Sequence, residues 1–184
     1  MPDIDRESLV YRPGVGMMVI NGQNQILAGK RIDMAADAWQ MPQGGIDPGE
    51  DPEKAAWREL WEEVGTDKAE LITRTADWIP YDFPDDLVAK LWDGKFRGQT
   101  QIWYLMRFTG TDNDFDLDVH EREFSEIQWL DRQTLVDRSL DPCLCPESQI
   151  LPLLNLLIPY CHYHYHDLSF LVQWGGHHHH HCFY

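Results

Sequence analysis

Cysteine is absent from the first 142 residues of this chain. Any cysteine-based metal site is therefore confined to the segment from Cys143 onward. Histidine is nearly absent from the body as well: His120 stands alone there, and its default place is a solvated loop. No run of about 18 apolar residues occurs, so no membrane span is expected. The N-terminus, MPDIDRESLVYRPG, is acidic and lacks an apolar signal core, so a cytoplasmic protein is expected. Positive charge is scarce, with 15 Lys and Arg against 31 Asp and Glu and a net charge of −16. Such a field argues against broad, non-specific binding of DNA or RNA and leaves room for local recognition of a phosphorylated end.

What is present is an ordinary globular composition, 43% hydrophobic and 25% charged over 184 residues, enough for one domain with a real core. Residues 15–20 form an apolar run that reads as a buried strand. Asn21-Gly22 marks a turn into a second strand over 25–30, which makes the pair a hairpin. Further strands are expected over 71–79, 101–108 and 127–130. Residues 80–95 read as a long loop or broken helix. Asp131 is placed to cap a brief helix through Val136. Strands on both sides of one central helix indicate an α+β fold, a mixed sheet with helices packed on it.

The chain is organised around residues 44–66, GGIDPGEDPEKAAWRELWEEVGT. Asp51 can cap a helix that begins at Pro52, and Gly65 is placed to end it. Trp57, Leu60, Trp61 and Val64 follow helical spacing as one apolar stripe. Glu59, Glu62 and Glu63 recur at i, i+3, i+4 and are expected together on the opposite face. Three like charges there repel one another, and Arg58 is the only cation close by. Two readings fit: a solvated acidic face, or oxygen ligands for a hard divalent ion such as Mg²⁺ or Mn²⁺.

The spacing of the whole stretch, Gly44, Glu50, Arg58-Glu59-Leu60, Glu62-Glu63 and Gly65, resembles the Nudix box, Gly-x5-Glu-x7-Arg-Glu-U-x-Glu-Glu-x-Gly-U, where U is aliphatic. Only the last specified position departs, with Thr66. The resemblance implies an α/β/α sandwich with the box helix packed on a mixed sheet. It also implies hydrolysis of nucleoside diphosphates linked to another group, with Mg²⁺ or Mn²⁺. It places Glu59, Glu62, Glu63 and Gly44 at the metal, and gives Gly44, Glu50, Arg58 and Gly65 supporting roles in the box.

The likeness extends over roughly residues 10–138. Tyr11-Arg12-Pro13, Lys30-Arg31, the lead-in WQMPQGG at 39–45, Asp77-Trp78, Arg97-Gly98-Gln99-Thr100-Gln101 with Trp103, and Glu123-Phe124 resemble one Nudix subfamily. That subfamily contains bacterial RNA pyrophosphohydrolases and dinucleoside polyphosphate (diadenosine tetraphosphate) hydrolases. The implied partners are 5′-triphosphate or 5′-diphosphate RNA, or dinucleoside polyphosphates. Pro80 and Tyr81 fall where subfamilies carry a marker residue, and they do not discriminate. A third reading is a catalytically weak nucleotide- or RNA-binding module, against which every box carboxylate is retained.

Several side chains then have two readings each. Arg12 and Arg31 either bind substrate phosphates by charge-assisted forks or are surface arginines. Lys30 and Arg31 are adjacent, so in a strand only one of them can face the site. Gln43 orients phosphate or water, or bonds backbone as a loop residue. Glu123 is an additional metal ligand or base, or a rim carboxylate. Trp39 and Trp103 stack on a base or pack in the core. The expected reaction is metal-assisted hydrolysis, with the proton accepted by one of Glu59, Glu62, Glu63 and Glu123 and with Arg58 counted in the catalytic set.

Composition changes sharply near residue 139. No Lys or Arg occurs in the last 46 residues, which hold all four cysteines and eight of the nine histidines. Residues 1–138 are taken as the domain and 139–184 as a segment of different character. Relatives continue here with an aromatic, a basic pair and a closing amphipathic helix, whereas Pro152 and Pro159 break any such helix. Cys143 and Cys145 with His162, His164 and His166 invite a zinc reading, but their spacing fits no standard finger. A frameshift that replaced the native C-terminus is the hypothesis. Resequencing that returns an unchanged frame through codon 184 would sink it.

Overall fold

The apolar run at 15–20 is the buried half of a longer strand, β1 (Val10–Ile20). The computed structural model describes residues 5–33, 37–83, 85–90 and 92–138, and the expectations for 139–184 lie outside them. After β1 come β2 (Ile26–Arg31), β3 (Trp39–Gln40), β4 (Gln43–Gly45), α1 (Pro52–Val64), β5 (Ala69–Arg74), β6 (Ile79–Asp82), α2 (Asp85–Val88), β7 (Phe96–Phe108), β8 (Phe124–Leu130) and α3 (Arg132–Arg138).

β1 and β7 run parallel from Val10 opposite Phe96 to Ile20 opposite Arg107, and every other pairing is antiparallel. The sheet is therefore mixed. Its central path is β3-β2-β1-β7-β5, with β4 also on β1, β6 on β7 and β8 on β2. β1 is buried without alternation from Gly14 to Ile20, the pattern of a strand covered on both faces. Val15, Met17, Val19, Ile102, Tyr104 and Met106 pack with Ala56, Leu60 and Val64 of α1. Met18, Ile20, Trp39, Trp103 and Leu105 pack with Leu135 of α3 on the other face. The expected α+β sandwich is present, with α1 and α3 on opposite faces. Among the described residues no helix is long and apolar enough to cross a membrane.

Local chemistry explains the turns. The Asn21 side chain accepts from the backbone N–H of Gln23 at 3.0 Å and of Gln25 at 2.9 Å, which holds the hairpin. Asp131 Oδ1 accepts from Thr134 N at 2.9 Å and caps α3 as expected. The single strand expected over 71–79 is instead two, β5 and β6, laid end to end along β7. Thr75 makes the break: its N–H donates to Trp103 O at 2.8 Å, while its hydroxyl accepts from Trp103 N at 3.1 Å. Pro80, read as part of a loop, sits inside β6, an edge strand where a missing N–H costs no ladder bond.

Candidate active site

Helix α1 starts and stops where its sequence directs. Asp51 accepts from Lys54 N at 3.3 Å, Pro52 opens the first turn, and Gly65 closes it at φ 71° with its N–H on Trp61 O at 2.9 Å. The orientation of the helix differs from the simple stripe. Trp61 is 48% exposed, whereas Glu63 is only 2% exposed and lies beside Leu60 and Val64 on the buried side. The acidic residues do not share one outward face. An apolar count placed Trp61 inward, but α1 turns the Glu63 edge toward β4, and the polar environment there accommodates it.

β4 supplies that environment. The Gln43 N–H donates to Glu63 Oε2 at 3.3 Å. Gly44 lies directly against the Glu59 carboxylate, and any side chain at 44 would collide with it. Glycine at 44 leaves room for that carboxylate where Arg58 holds it.

Arg58 forms the brace. Its Nε and Nη2 fork onto Glu50, both at 2.8 Å, and Nη2 also donates to Gly45 O at 2.9 Å. Nη1 reaches Glu59 at 2.9 Å and Glu62 at 3.2 Å. One guanidinium thus ties the loop before α1 to the helix and to β4. The fork is the main reason the Glu50 carboxyl is pushed down to about 2.

Glu63 is held differently. Its Oε1 is buried and accepts from no donor. Burial first, then the facing Glu123 carboxylate, then Glu59 push its pKa well above the usual range. Burial likewise raises Glu59 against the opposing pull of Arg58. Glu123 arrives from the loop before β8, which is stitched to the end of β2 by Ile32 N donating to Glu123 O at 2.9 Å. Glu123 thus faces the box carboxylates, not the solvated rim.

Of the basic pair, Arg31 is the one directed at the site. It forks onto Asp33 at 2.7 and 2.6 Å, and Glu123 and Glu63 add to the field that stabilises its charge. Lys30 turns to Asp37 at 3.7 Å. The Arg12 guanidinium lies over Gly45. The Gln43 side chain accepts from Gln101 Nε2 at 2.9 Å, a partner that neither earlier reading of Gln43 supplied. Trp39 and Trp103 are each 1% exposed, so both belong to the core and neither is placed to stack on a base. His120 is exposed.

A profile of the NUDIX domain matches residues 10–144. The chain belongs to the Nudix family. It is 53% identical over 131 residues to an RNA pyrophosphohydrolase of Roseobacter denitrificans, covering 70% of this chain and 82% of the relative. It is 50% identical over 135 residues to one of Rhodospirillum rubrum, covering 73% and 81%. Among solved structures, the E. coli dihydroneopterin triphosphate pyrophosphohydrolase aligns with a TM-score of 0.58 at 19% identity, covering 78% of this chain and 98% of that one. A C. elegans Ap4A hydrolase gives 0.58 at 16% identity, with 80% and 98% covered. At those identities the structural likeness shows the Nudix fold alone.

Nudix hydrolases generally use divalent cations, and the carboxylates here fit one. Among the described residues no three acidic, histidine or cysteine side chains already converge as a cage. Arg58 draws Glu59 and Glu62 toward itself. The Glu63 oxygen without a donor, pressed by Glu123 and Glu59, is nevertheless what a hard cation would satisfy. Sequence reasoning gave no role to Gln101 or Asp33. A glutamine leading directly into the apolar run IWYLM was the available signal, because a buried amide must find a partner.

Proposed function

We propose that this Nudix protein is a divalent-cation-dependent hydrolase that removes pyrophosphate from the 5′ end of triphosphorylated RNA and also accepts 5′-diphosphate RNA. One observation carries the reading. Proteins named RNA pyrophosphohydrolase share 50–54% identity with this chain, over 76–82% of their own length. The retained carboxylates favour an enzyme over a binding module. Bacterial relatives and an RNA substrate support a cytoplasmic place.

In this proposal Glu59, Glu62, Glu63 and the Gly44 carbonyl hold Mg²⁺ or Mn²⁺, and Glu123 completes the set. The bound cation would neutralise phosphate charge and acidify a water. Arg12, Arg31 and Gln43 bind and orient the polyphosphate, as forked and amide donors do. Asp33 yields Arg31 to the incoming phosphate. Arg58 and Glu50 keep the box loop fixed against α1. One of Glu59, Glu62, Glu63 and Glu123 takes the proton of the attacking water, the P–O–P bond breaks, and 5′-monophosphate RNA departs from pyrophosphate.

The test is pyrophosphate and phosphate release from 5′-triphosphate RNA and, in parallel, from diadenosine tetraphosphate. Each is run with Mg²⁺, with Mn²⁺ and with a chelator. Faster, chelator-sensitive turnover of RNA supports the proposal. Preference for the dinucleotide replaces it with dinucleoside polyphosphate hydrolysis, and silence on both reduces the protein to a binding module.

A further inference from the structure

Gln101 lies on β7 opposite Gly14 of β1, and Gly14 in turn lies opposite Gly45 of β4. Residues directly opposite in a sheet share a face, as do residues two apart in a strand. Gln43, Gly45, Gly14 and Gln101 therefore share one face, and the Arg12 guanidinium covers Gly45 on it. Gly14 carries no side chain, so the Gln101 stem crosses β1, its Cγ 3.6 Å from where a Cβ at 14 would stand. The amide then reaches the next strand and donates to Gln43 Oε1 at 2.9 Å.

Gln101 is 2% exposed, next in sequence to the core residues Ile102 and Trp103. An apolar residue would fill such a place without the cost of burying an amide. The amide is spent on fixing which way Gln43 points. With its oxygen held by Gln101, the Gln43 side chain turns its nitrogen, and hence its two donors, away from Gln101. Its own backbone N–H is committed to Glu63, so one residue links the polar shelf of Arg12 to the acidic cluster.

We propose that Gln101 is a positioning residue. It locks the Gln43 amide with the nitrogen presented beside Arg12, so that Gln43 donates to a polyphosphate oxygen there. This rests on the reading of the site as a polyphosphate site.

The experiment is titration calorimetry with inorganic tripolyphosphate in the presence of Mg²⁺. Gln101→Leu weakens binding about tenfold, the worth of one hydrogen bond to a charged group. Gln43→Ala weakens it by the same factor, and the double variant binds no worse than Gln43→Ala alone. Gln101→Glu preserves size and supplies the sharper arm. As a carboxylate it accepts from Gln43 and turns the Gln43 oxygen toward the phosphate, so binding falls more than tenfold. Protonation makes residue 101 a donor again, so acid restores binding relative to the native protein measured at the same pH. That restoration is read even where Gln101→Leu disturbs the fold. Native-like binding by folded Gln101→Leu, additive losses in the double variant, or a pH-independent Gln101→Glu would each overturn the inference. RNA turnover by the unaltered protein is measured alongside. Turnover with binding indifferent to Gln101 overturns only this inference. Gln101-dependent binding without RNA turnover overturns only the substrate.

Discussion

Two carboxylates, Glu50 in the loop before helix α1 and Glu63 on the helix, meet opposite fates. Glu50 receives a two-point fork from Arg58, remains part-exposed and is held down to about 2. Glu63 is buried, faces Glu123 and is pushed well above the ordinary range. The first has a cation forked onto it, and its charge is a structural asset. Among the described residues the second receives no such fork, and burial beside Glu123 makes its charge a liability. Both are fixed positions of the Nudix box, so the motif joins a self-contained brace to a buried carboxylate crowded by like charge.

The difference reverses the pH dependence of the two. Glu50 is depressed when folded, so its stabilisation is present above its ordinary value of 4.5 and is lost as pH falls toward about 2. Glu63 is raised when folded, so its contribution is most favourable below 4.5 and is lost as pH rises through its folded value. A cation held as proposed would offset the second loss and leave the first untouched.

The largest effect expected is on catalysis. Glu63→Gln should lower kcat by about 10²- to 10⁴-fold in steady-state pyrophosphate release. In chelator at pH 8 the same variant should melt at or above the native temperature, because a buried carboxyl crowded by Glu123 and Glu59 has been replaced by an uncharged amide. Marked destabilisation there would break the contrast. Next comes Arg58→Ala, which strips the cation from Glu50, Glu59 and Glu62 together. Urea denaturation at pH 7 should show a loss of about 2–4 kcal/mol, with Arg58→Lys recovering only part because it lacks the fork. Glu50→Gln should cost about 1–2 kcal/mol at pH 7, and the gap should close as pH falls from 4.5 toward 2. A gap that widens on acidification contradicts the assigned sign. Asp51→Ala removes only a helix cap, about 1 kcal/mol by thermal melting, and should leave kcat within twofold.

Regular patterns and fixed spacings were legible in the sequence. The Asp51 cap, the Gly65 stop, the Asn21 turn and the Asp131 cap each act through a neighbour a few residues away. What escaped depends on contacts between distant segments. The division of 71–79 into two strands is made by Thr75 bonding to Trp103, 28 residues on. The helical count misplaced Trp61 and Glu63 because it weighs apolarity and cannot see Gln43, 20 residues earlier, offering its N–H. The Gln101–Gln43 bond spans 58 residues and crosses a strand at Gly14, so no local window contains it. Glu123 lay between two readings until β8 paired with β2 and carried it to the box.

The measurement that bears most directly on the contrast is the shift in melting temperature on adding Mg²⁺ or Mn²⁺ to the native protein, to Glu63→Gln and to Glu50→Gln. A cation that binds only the folded state stabilises it by about 2.7 kcal/mol at a hundred times its Kd. The account predicts a clear upward shift for the native protein, the same shift from a lower baseline for Glu50→Gln, and little or none for Glu63→Gln. A full shift in Glu63→Gln, or its loss in Glu50→Gln alone, would contradict the assignment of the two carboxylates.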